Sequence, residues 1–200
     1  MRVKRESRRQ AIMDVAETLF REKGFELTSM DEITARVGGS KATLYNYFAS
    51  KQELFLEVMR RFARDIMARL YDRLDPQADM RAVLSEFGEN FLEFVCQPRI
   101  ISVQRVVYAE SGRAGLGQDF YQYGPLLSRT RLAEYLQGCM DRGLLRQGDA
   151  TRAAAQLLAL WQAEHIDPLR LEAVPMDRLP PMADSARAAL DVFLRAYGVG

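Results

Sequence analysis

Apolar residues recur along this chain with the spacing of amphipathic helices. The first stretch ends at Gly24, and its apolar positions follow an i, i+3, i+4, i+7, i+8 pattern: Ile12, Val15, Ala16, Leu19 and Phe20. A second, shorter stretch has Thr28 as its predicted N-cap and is broken by Gly38 and Gly39. Ser40 is the predicted N-cap of a third stretch. The pattern therefore predicts three helices in the first quarter of the chain, with a tight glycine turn between the second and the third.

The rest of the chain is predicted to be helical as well. Ser50 and Glu53 form a capping box at the start of a long apolar stripe. We expect further helices over residues 80–96, 100–108, 118–142 (interrupted at Gly124 and Pro125), 150–166 and 183–197, and a loop over 112–117. Residues 100–108 are rich in β-branched side chains, but no second strand is predicted to pair with them, so we expect a helix there too. The chain is predicted to be all-α, with about nine helices in two parts.

Length and composition narrow the functional classes. A chain of 200 residues can bury a core in one or two domains. No apolar run reaches the roughly 18 residues of a membrane span, and the N-terminus lacks the apolar core of a signal peptide. Cys96 and Cys139 lack metal-binding spacing and are too few for a disulfide framework, and His165 is the single histidine. We therefore expect a cytoplasmic protein that is not an enzyme and that uses no cofactor, metal or membrane.

The charge of the chain is informative only when it is followed along the sequence. Taken as a whole, the net charge of +1 argues against a nucleic-acid partner. Residues 1–51, however, contain ten basic and seven acidic side chains, a net charge of +3, whereas the remainder has a net charge of −2. Five of the first nine residues are basic. This predicts a basic N-terminal arm over residues 2–9 that is either solvated or in contact with DNA.

The third predicted helix has the pattern of a recognition helix. In a helix-turn-helix, this helix keeps one face in the core while the other face enters the major groove of DNA. Leu44 and Phe48, four residues apart, supply the buried face. The positions left outside are polar or amphipathic and include no acidic side chain: Lys41, Thr43, Tyr45, Asn46 and Tyr47. Two outward tyrosines on a short helix are explained if their hydroxyls reach DNA phosphates.

At these residues the sequence resembles the TetR family of bacterial transcriptional regulators. Three stretches with their joint spacing carry the resemblance: TSMDEI at 28–33, GGSKATLYNYF at 38–48 and SKQELF at 50–55. Two shorter stretches are similar to the first helix of the family: AETLF at 16–20 and KGF at 23–25. The resemblance covers about the first quarter of the chain. The sequence departs from the family pattern at Thr34, Gly39 and Ala42, which bears on turn stability and operator preference.

The resemblance implies that nine residues bind DNA. Thr28 and Ser40 would hold phosphates at helix N-termini, and Tyr45, Tyr47 and Lys51 would grip the DNA backbone. The other four would face base edges: Lys41, Ala42, Thr43 and Asn46. From the residues alone, Thr28 and Ser40 are also explained as helix caps, and Lys51 as a solvated lysine in a first helical turn.

The DNA-binding domain is predicted over residues 1–51, and residues 52–200 are similar to the ligand-binding and dimerisation part of the same family. The resemblance implies a small, largely apolar effector. The candidate lining residues are Phe62, Phe87, Phe91, Tyr108, Glu110, Tyr123, Trp161 and His165. The alternative for the aromatic members is an ordinary core of packed helices. For His165 it is an exposed position near the end of its helix.

Pairing of two chains is expected because one helix-turn-helix reads too few base pairs to be specific. The family pairs its last two long helices, which are predicted here over residues 150–166 and 183–197, and both are rich in alanine and leucine. We therefore predict a homodimeric repressor that an effector releases from a palindromic DNA operator. The alternative is a DNA-bound factor of the same fold that recruits another protein and has no small-molecule effector.

Overall fold

The first helix, α1 (Arg2–Leu27), begins within the basic N-terminal segment. This computed structural model describes residues 2–110 and 116–199. The predicted arm therefore forms the first turns of α1 and is not an extended strand of chain. The helical path of α1 is broken at Gly24, whose φ of 78° lies in the region that favours glycine. The helix end predicted at this glycine thus corresponds to a real break, after which the chain runs on to the end of α1.

The next two helices are separated by the predicted glycine turn. Helix α2 spans Met30–Val37, and helix α3 spans Lys41–Tyr45. The N-cap prediction is confirmed for Ser40, whose hydroxyl accepts a backbone N–H of the first turn of α3 at 3.1 Å. The N-cap prediction is wrong for Thr28, because Ser29 caps α2 by accepting a backbone N–H of its first turn, also at 3.1 Å.

The hydroxyl of Thr28 turns back toward α1 and cannot cap α2. It donates to the carbonyl oxygen of Gly24 at 2.8 Å and so bridges the break in α1. Ser29 has the extended backbone that an N-cap requires, with φ −115° and ψ 153°. Of these two adjacent hydroxyl residues, Thr28 therefore bonds to α1, and Ser29 caps α2.

Three longer helices follow: α4 (Lys51–Tyr71), α5 (Met80–Val95) and α6 (Pro98–Glu110). The capping box predicted before α4 is confirmed, because the Ser50 hydroxyl accepts from the backbone N–H of Glu53 at 3.0 Å. The carboxylate of Glu53 in turn accepts a backbone N–H that precedes the helix, at 2.7 Å. Helix α6 covers the β-branched stretch, so the prediction of a helix there is confirmed as well.

A π-helical turn interrupts the next helix. Helix α7 (Leu116–Tyr121) continues through the π-helical turn Gln122–Leu126 into α8 (Leu127–Asp141). The turn contains Pro125, which has no N–H to donate to an α-helical hydrogen bond. The predicted interruption is thus a change of helix type. The loop predicted over 112–117 lies largely outside the described residues, and its last two positions begin α7.

The last part of the chain contains α9 (Ala150–Gln162), α10 (Ile166–Arg170), a 3₁₀ turn (Met176–Arg178) and α11 (Met182–Tyr197). The prediction of one helix over 150–166 that stops before a proline was wrong. Pro168 is the third residue of α10, where proline is tolerated because the N–H groups of a first helical turn have no partner within the helix.

The helices share one continuous core. Helix α1 packs on α2 and α4, α9 packs on α5, α8 and α11, α11 also packs on α5, and α6 contacts both α4 and α5. The described ranges contain no β-strand, only an isolated bridge between Leu145 and Gly198. The all-α fold with an N-terminal helix-turn-helix is confirmed, and the short α7 and α10 raise the number of α-helices in these ranges to eleven. None of these helices is both long enough and apolar enough to cross a membrane.

Candidate functional site

The turn between α2 and α3 depends on two glycines and one arginine. Gly38 and Gly39 have φ values of 77° and 101°, which residues with a Cβ rarely adopt. The guanidinium of Arg8 donates to the carbonyl oxygen of Val37 at 3.3 Å and to that of Gly38. A Cβ at Gly39 would lie 2.9 Å from Nη2 of Arg8. Glycine at this position, a departure from the family pattern, therefore fits a turn that is tied to α1.

Helix α3 presents one face to the core and the other to solvent. Leu44 and Phe48 are almost completely buried, which confirms them as the inner face. The other residues from 40 to 47 form the α3 surface, on the sides of the helix that Leu44 and Phe48 leave to solvent: Ser40, Lys41, Ala42, Thr43, Tyr45, Asn46 and Tyr47. Thr43 and Tyr47 are half-buried, and the other five are exposed, with Tyr45 at 43%. The structure therefore brings seven of the nine predicted DNA contacts together on one surface.

Two side chains of the α3 surface are bonded to neighbours on the protein. The ammonium of Lys41 lies 2.6 Å from the carboxylate of Asp31 on α2, and this hydrogen bond and charge raise the pKa of Lys41. The Ser40 and Thr43 hydroxyls are 2.9 Å apart. Ion pairs exposed to solvent contribute little to stability. The pair therefore positions Lys41 without preventing it from moving to a DNA acceptor.

Lys51 forms a specific contact with the end of α1. Its ammonium donates to the carbonyl oxygens of Phe25 at 2.9 Å and Glu26 at 3.3 Å, and it lies 4.2 Å from the centre of the Phe25 ring. The interpretation of Lys51 as a freely solvated lysine is therefore wrong. Its side chain is positioned beside the helix-turn-helix, and its contact with a DNA phosphate stays a prediction.

Thr28 does not lie on the surface that α3 forms. Its side chain is 1% exposed, and its hydroxyl is already bonded to α1. Ser29, one residue later, is exposed at the N-terminus of α2. Sequence reasoning missed Ser29 because two adjacent hydroxyl residues fit the same cap position, and only the packing around the break in α1 separates them.

The basic N-terminal segment is partly engaged with the protein. Arg9 pairs with Glu57 on α4 at 2.5 Å and lies 5.1 Å from the centre of the Phe48 ring. Arg8 holds the glycine turn, and Arg5 is exposed. The side chains of the other predicted arm residues, Arg2 and Lys4, lie outside the part that the structure describes. Two arginines of the predicted arm thus hold the helix-turn-helix together.

Three of the predicted effector residues form a buried aromatic cluster with a fourth residue, Tyr71. The ring of Trp161 lies 5.6 Å from Phe87 and 6.1 Å from Phe91, and Tyr71 lies 5.5 Å from Phe87. Burial raises the pKa of Tyr71 to about 12. The indole rests on Gly88, where a Cβ would come within 2.5 Å of Cε2 of Trp161. Tyr71, at the end of α4, is a member that sequence reasoning missed.

Three buried polar atoms in or beside this cluster are unsatisfied, those of Tyr71, Trp161 and His165. Trp161 and His165 are both 0% exposed. The Trp161 Nε1–H and the His165 Nδ1 have no hydrogen-bond partner among the described residues. Nε2 of His165 lies 3.0 Å from the carbonyl oxygen of Pro180, which can only accept, so Nε2 donates and Nδ1 is left as an acceptor. An unsatisfied donor and an unsatisfied acceptor thus lie one helical turn apart in the sequence. His165 is buried, and its exposed alternative was wrong.

The other predicted effector residues lie elsewhere. Tyr108 is 59% exposed under the guanidinium of Arg170, and Tyr123 is 58% exposed under that of Arg60. Glu110 is half-buried at the end of α6. Phe62 is half-buried and lines a separate cavity between α1, α4 and α6. Helical spacing alone does not indicate which of several aromatic faces turns inward.

Both cysteines are buried thiols. Burial raises the pKa of Cys96 to about 11 and also raises that of Cys139. The thiolate is the reactive form of cysteine, and the protonated form dominates here at neutral pH. Their geometry therefore favours a packing role over a redox role.

Two family profiles match the chain. The profile of the bacterial regulatory proteins of the TetR family matches residues 12–58, which include the helix-turn-helix and the start of α4. The profile of the AefR-like transcriptional repressor C-terminal domain matches residues 82–199, from the first turn of α5 to the end of α11. Together they account for both parts of the fold.

Individual relatives agree with these profiles. The transcriptional activator FasR of Mycolicibacterium smegmatis is 34% identical over 94 residues, which cover 47% of this chain but only 43% of FasR. A TetR-family regulator from Mesorhizobium loti has a TM-score of 0.82 at 25% identity, over 98% of both chains. The flavonoid-responsive regulator FrrA has a TM-score of 0.69 at 29% identity, over 96% of this chain and 98% of FrrA. Because one profile matches more than half of the chain and the other matches its helix-turn-helix, the chain belongs to the TetR family of bacterial transcriptional regulators.

Proposed function

We propose that this transcriptional regulator is a homodimeric repressor that a small, largely apolar effector releases from a palindromic operator. The observation that carries the proposal is the α3 surface, which a helix presents while its opposite face, Leu44 and Phe48, is buried in the core. Such a helix can enter a major groove without disturbing its own packing. The match of the larger part to a repressor-type C-terminal domain supports repression.

The DNA contacts follow from the chemistry of the exposed groups. Lys41 is suited to the acceptors of guanine, and Thr43 to a thymine methyl group, with Ala42 and Asn46 beside them. The remaining predicted contacts would bind phosphates: Ser40, Tyr45, Tyr47 and Lys51. Ser29 replaces Thr28 in this set because its hydroxyl is at the surface. We propose residues 1–51 as the DNA-reading unit, with α4 leading into the larger one.

Dimerisation is supported by an unpaired face on the last two long helices. Small apolar residues recur at exposed positions four residues apart: Ala159 and Ala163 at the end of α9, and Ala188, Val192 and Ala196 on α11. Val192 is 51% exposed. Rows of this spacing form ridges that pack into the grooves of another helix at close approach. A two-fold pairing through this face would place two α3 helices on half-sites about 34 Å apart.

The effector site that we propose is the aromatic cluster with the polar atoms of Trp161 and His165. A hydroxyl group can accept from Nε1 of Trp161 or donate to Nδ1 of His165, so an apolar molecule with hydroxyl groups suits these two atoms. The rings are packed together, and binding therefore requires the cluster to open. The flavonoid response of FrrA supports an effector of this chemistry.

The test is operator binding by fluorescence anisotropy, with DNA fragments from the intergenic regions that flank the gene. We expect Tyr45→Ala and Lys51→Ala to weaken binding about tenfold each, because each removes a phosphate contact. Tyr121→Ala is the matched control, since Tyr121 is 41% exposed on α7 while Tyr45 is 43% exposed. Unchanged affinity in both variants would rule out this DNA face. Fluorescence of Trp161, the single tryptophan, reports effector binding in the same samples.

A further inference from the structure

A cavity of about 210 Å³ lies where α1, α4 and α6 meet. Its floor consists of apolar side chains, four of them aromatic: Phe20, Phe25, Phe55, Val58, Met59 and Phe62. The Phe55 ring lies 5.0 Å from Phe20 and 4.9 Å from Phe25, so the floor is a continuous aromatic surface. A cavity of about 150 Å³ is enough to hold benzene. This cavity therefore has room for an aromatic ring with a short polar group.

The polar part of the lining is positive. Arg21 of α1 and Arg99 of α6 both line the cavity, and the Arg99 guanidinium lies 5.1 Å from the centre of the Phe62 ring. Within residues 2–110 and 116–199, neither arginine forms an ion pair. The single carboxylate of the lining, Glu17, is already paired with Arg61. Two guanidinium groups thus have no paired carboxylate among the side chains that the structure describes, and they lie beside an aromatic floor.

We propose that this cavity binds a small aromatic carboxylate. Its ring would lie on the phenylalanine floor, and its carboxylate would accept charge-assisted hydrogen bonds from Arg21 and Arg99. The hydroxyl of Ser102, which also lines the cavity, supplies a further donor on α6. Charge complementarity selects an anion over a neutral aromatic of the same shape, because only the anion compensates the two guanidinium groups.

The position of this cavity connects the two parts of the molecule. Its lining comes from α1, which carries the helix-turn-helix, and from α6, which belongs to the larger part. A bound anion would contact both and favour one orientation of α1 relative to α6. This consequence for operator binding rests on the proposed function, whereas binding of the anion does not. Any coupling is reciprocal, so the anion and the operator would change each other's affinity by the same factor.

Isothermal titration of the full chain with 2-naphthoate and with the neutral 2-naphthamide tests the proposal. We expect naphthoate to bind at least about tenfold more tightly than naphthamide. Arg99→Gln should remove that preference by weakening naphthoate alone, and Ser102→Phe should weaken both probes by filling the cavity. Arg69→Gln is the control, because Arg69 is an exposed arginine of α4 outside the lining.

Equal affinity for the two probes would overturn the proposal, as would naphthoate binding that survives Arg99→Gln unchanged. If Ser102→Phe does not fold, the arginine variant still decides the question. Operator binding of the same samples is measured without probe. Absence of operator binding with naphthoate binding intact would refute only the proposed function. Absence of naphthoate binding with operator binding intact would refute only this site.

Discussion

The helix-turn-helix and the larger part of this protein place their candidate functional groups in opposite ways. On α3, the groups expected to bind DNA point outward, while the inner face is packed by Leu44 and Phe48. In the larger part, the candidate groups are Trp161 and His165, which are completely buried and have unsatisfied polar atoms. The proposed functions and the packing therefore depend on different residues in the first region and on the same residues in the second.

This difference determines whether a substitution can change the proposed function without also changing stability. In the helix-turn-helix, exposed outward residues whose side chains cap no helix, such as Tyr45 and Asn46, can change with little loss of stability, because they contribute little to the core. In the aromatic cluster, any change to the proposed effector site also alters packing, because interiors are close-packed. Three experiments test this contrast.

The largest effect is expected for the inner face of the helix-turn-helix. Phe48→Ala should lower the free energy of unfolding by about 3–5 kcal/mol, because Phe48 is 1% exposed and its removal leaves a cavity. Tyr45→Ala, on the outer face, should stay within about 0.5 kcal/mol of the parent protein. Urea denaturation measures both. A comparable loss of stability in the two variants would contradict the assignment of Phe48 to a buried inner face and Tyr45 to an outer face.

A smaller loss of stability is expected where Trp161 rests on α5. Gly88→Ala should lower the free energy of unfolding by about 1–3 kcal/mol, because the new Cβ collides with the indole ring. It should also change the fluorescence of Trp161, which has to move. Gly138→Ala on α8 is the matched control, because a Cβ there meets nothing within 4 Å, and alanine favours a helix by about 0.5–1 kcal/mol over glycine. If both variants lose stability, the indole contact is not the cause.

The smallest effect is expected at alkaline pH from the thiol of Cys96, which lies in the larger part. The pKa of Cys96 is raised from 9.0 to about 11, so the unfolded chain releases this proton first. Cys96 therefore leaves stability unchanged below pH 9 and lowers it as pH rises from 9 to 11, by about 1 kcal/mol at pH 10. Cys96→Ala should reduce the loss between pH 8 and pH 10 by that amount. If the free energy of unfolding has the same pH dependence in the parent protein and in Cys96→Ala, this prediction is contradicted.

Local rules were sufficient for much of the helix-turn-helix. Its helix starts follow from hydroxyl and carboxyl side chains that bond to backbone N–H groups within three residues, as Ser40 and Ser50 do. Leu44 and Phe48 were predictable because four-residue spacing places them on one helix face. The exception is Thr28, where two neighbouring residues satisfied the same local rule and a contact with Gly24 decided between them.

The effector residues and the cavity at α1, α4 and α6 depend on long-range packing. By residue type and sequence spacing, Tyr108 and Tyr123 resemble buried aromatic residues, yet both lie at the surface. The cavity is lined by residues from 17 to 102, so no short window of sequence contains its pattern. In the sequence, the aromatic residues of its floor have only the spacing of an ordinary core. The positive charge of its lining became evident only once the ion pairs of the neighbouring arginines were known.

The π-helical turn Gln122–Leu126 has a consequence for how this chain is aligned with its relatives. Its hydrogen bonds span five residues where an α-helix spans four, so the turn accommodates one additional residue. One residue corresponds to a rotation of about 100° around an α-helix. Converting the turn to α-helix with no residue removed would therefore rotate α7 by about 100° relative to α8 and turn Phe120 and Tyr121 to other sides. A relative with an uninterrupted helix should align only if a one-residue gap is opened at this turn.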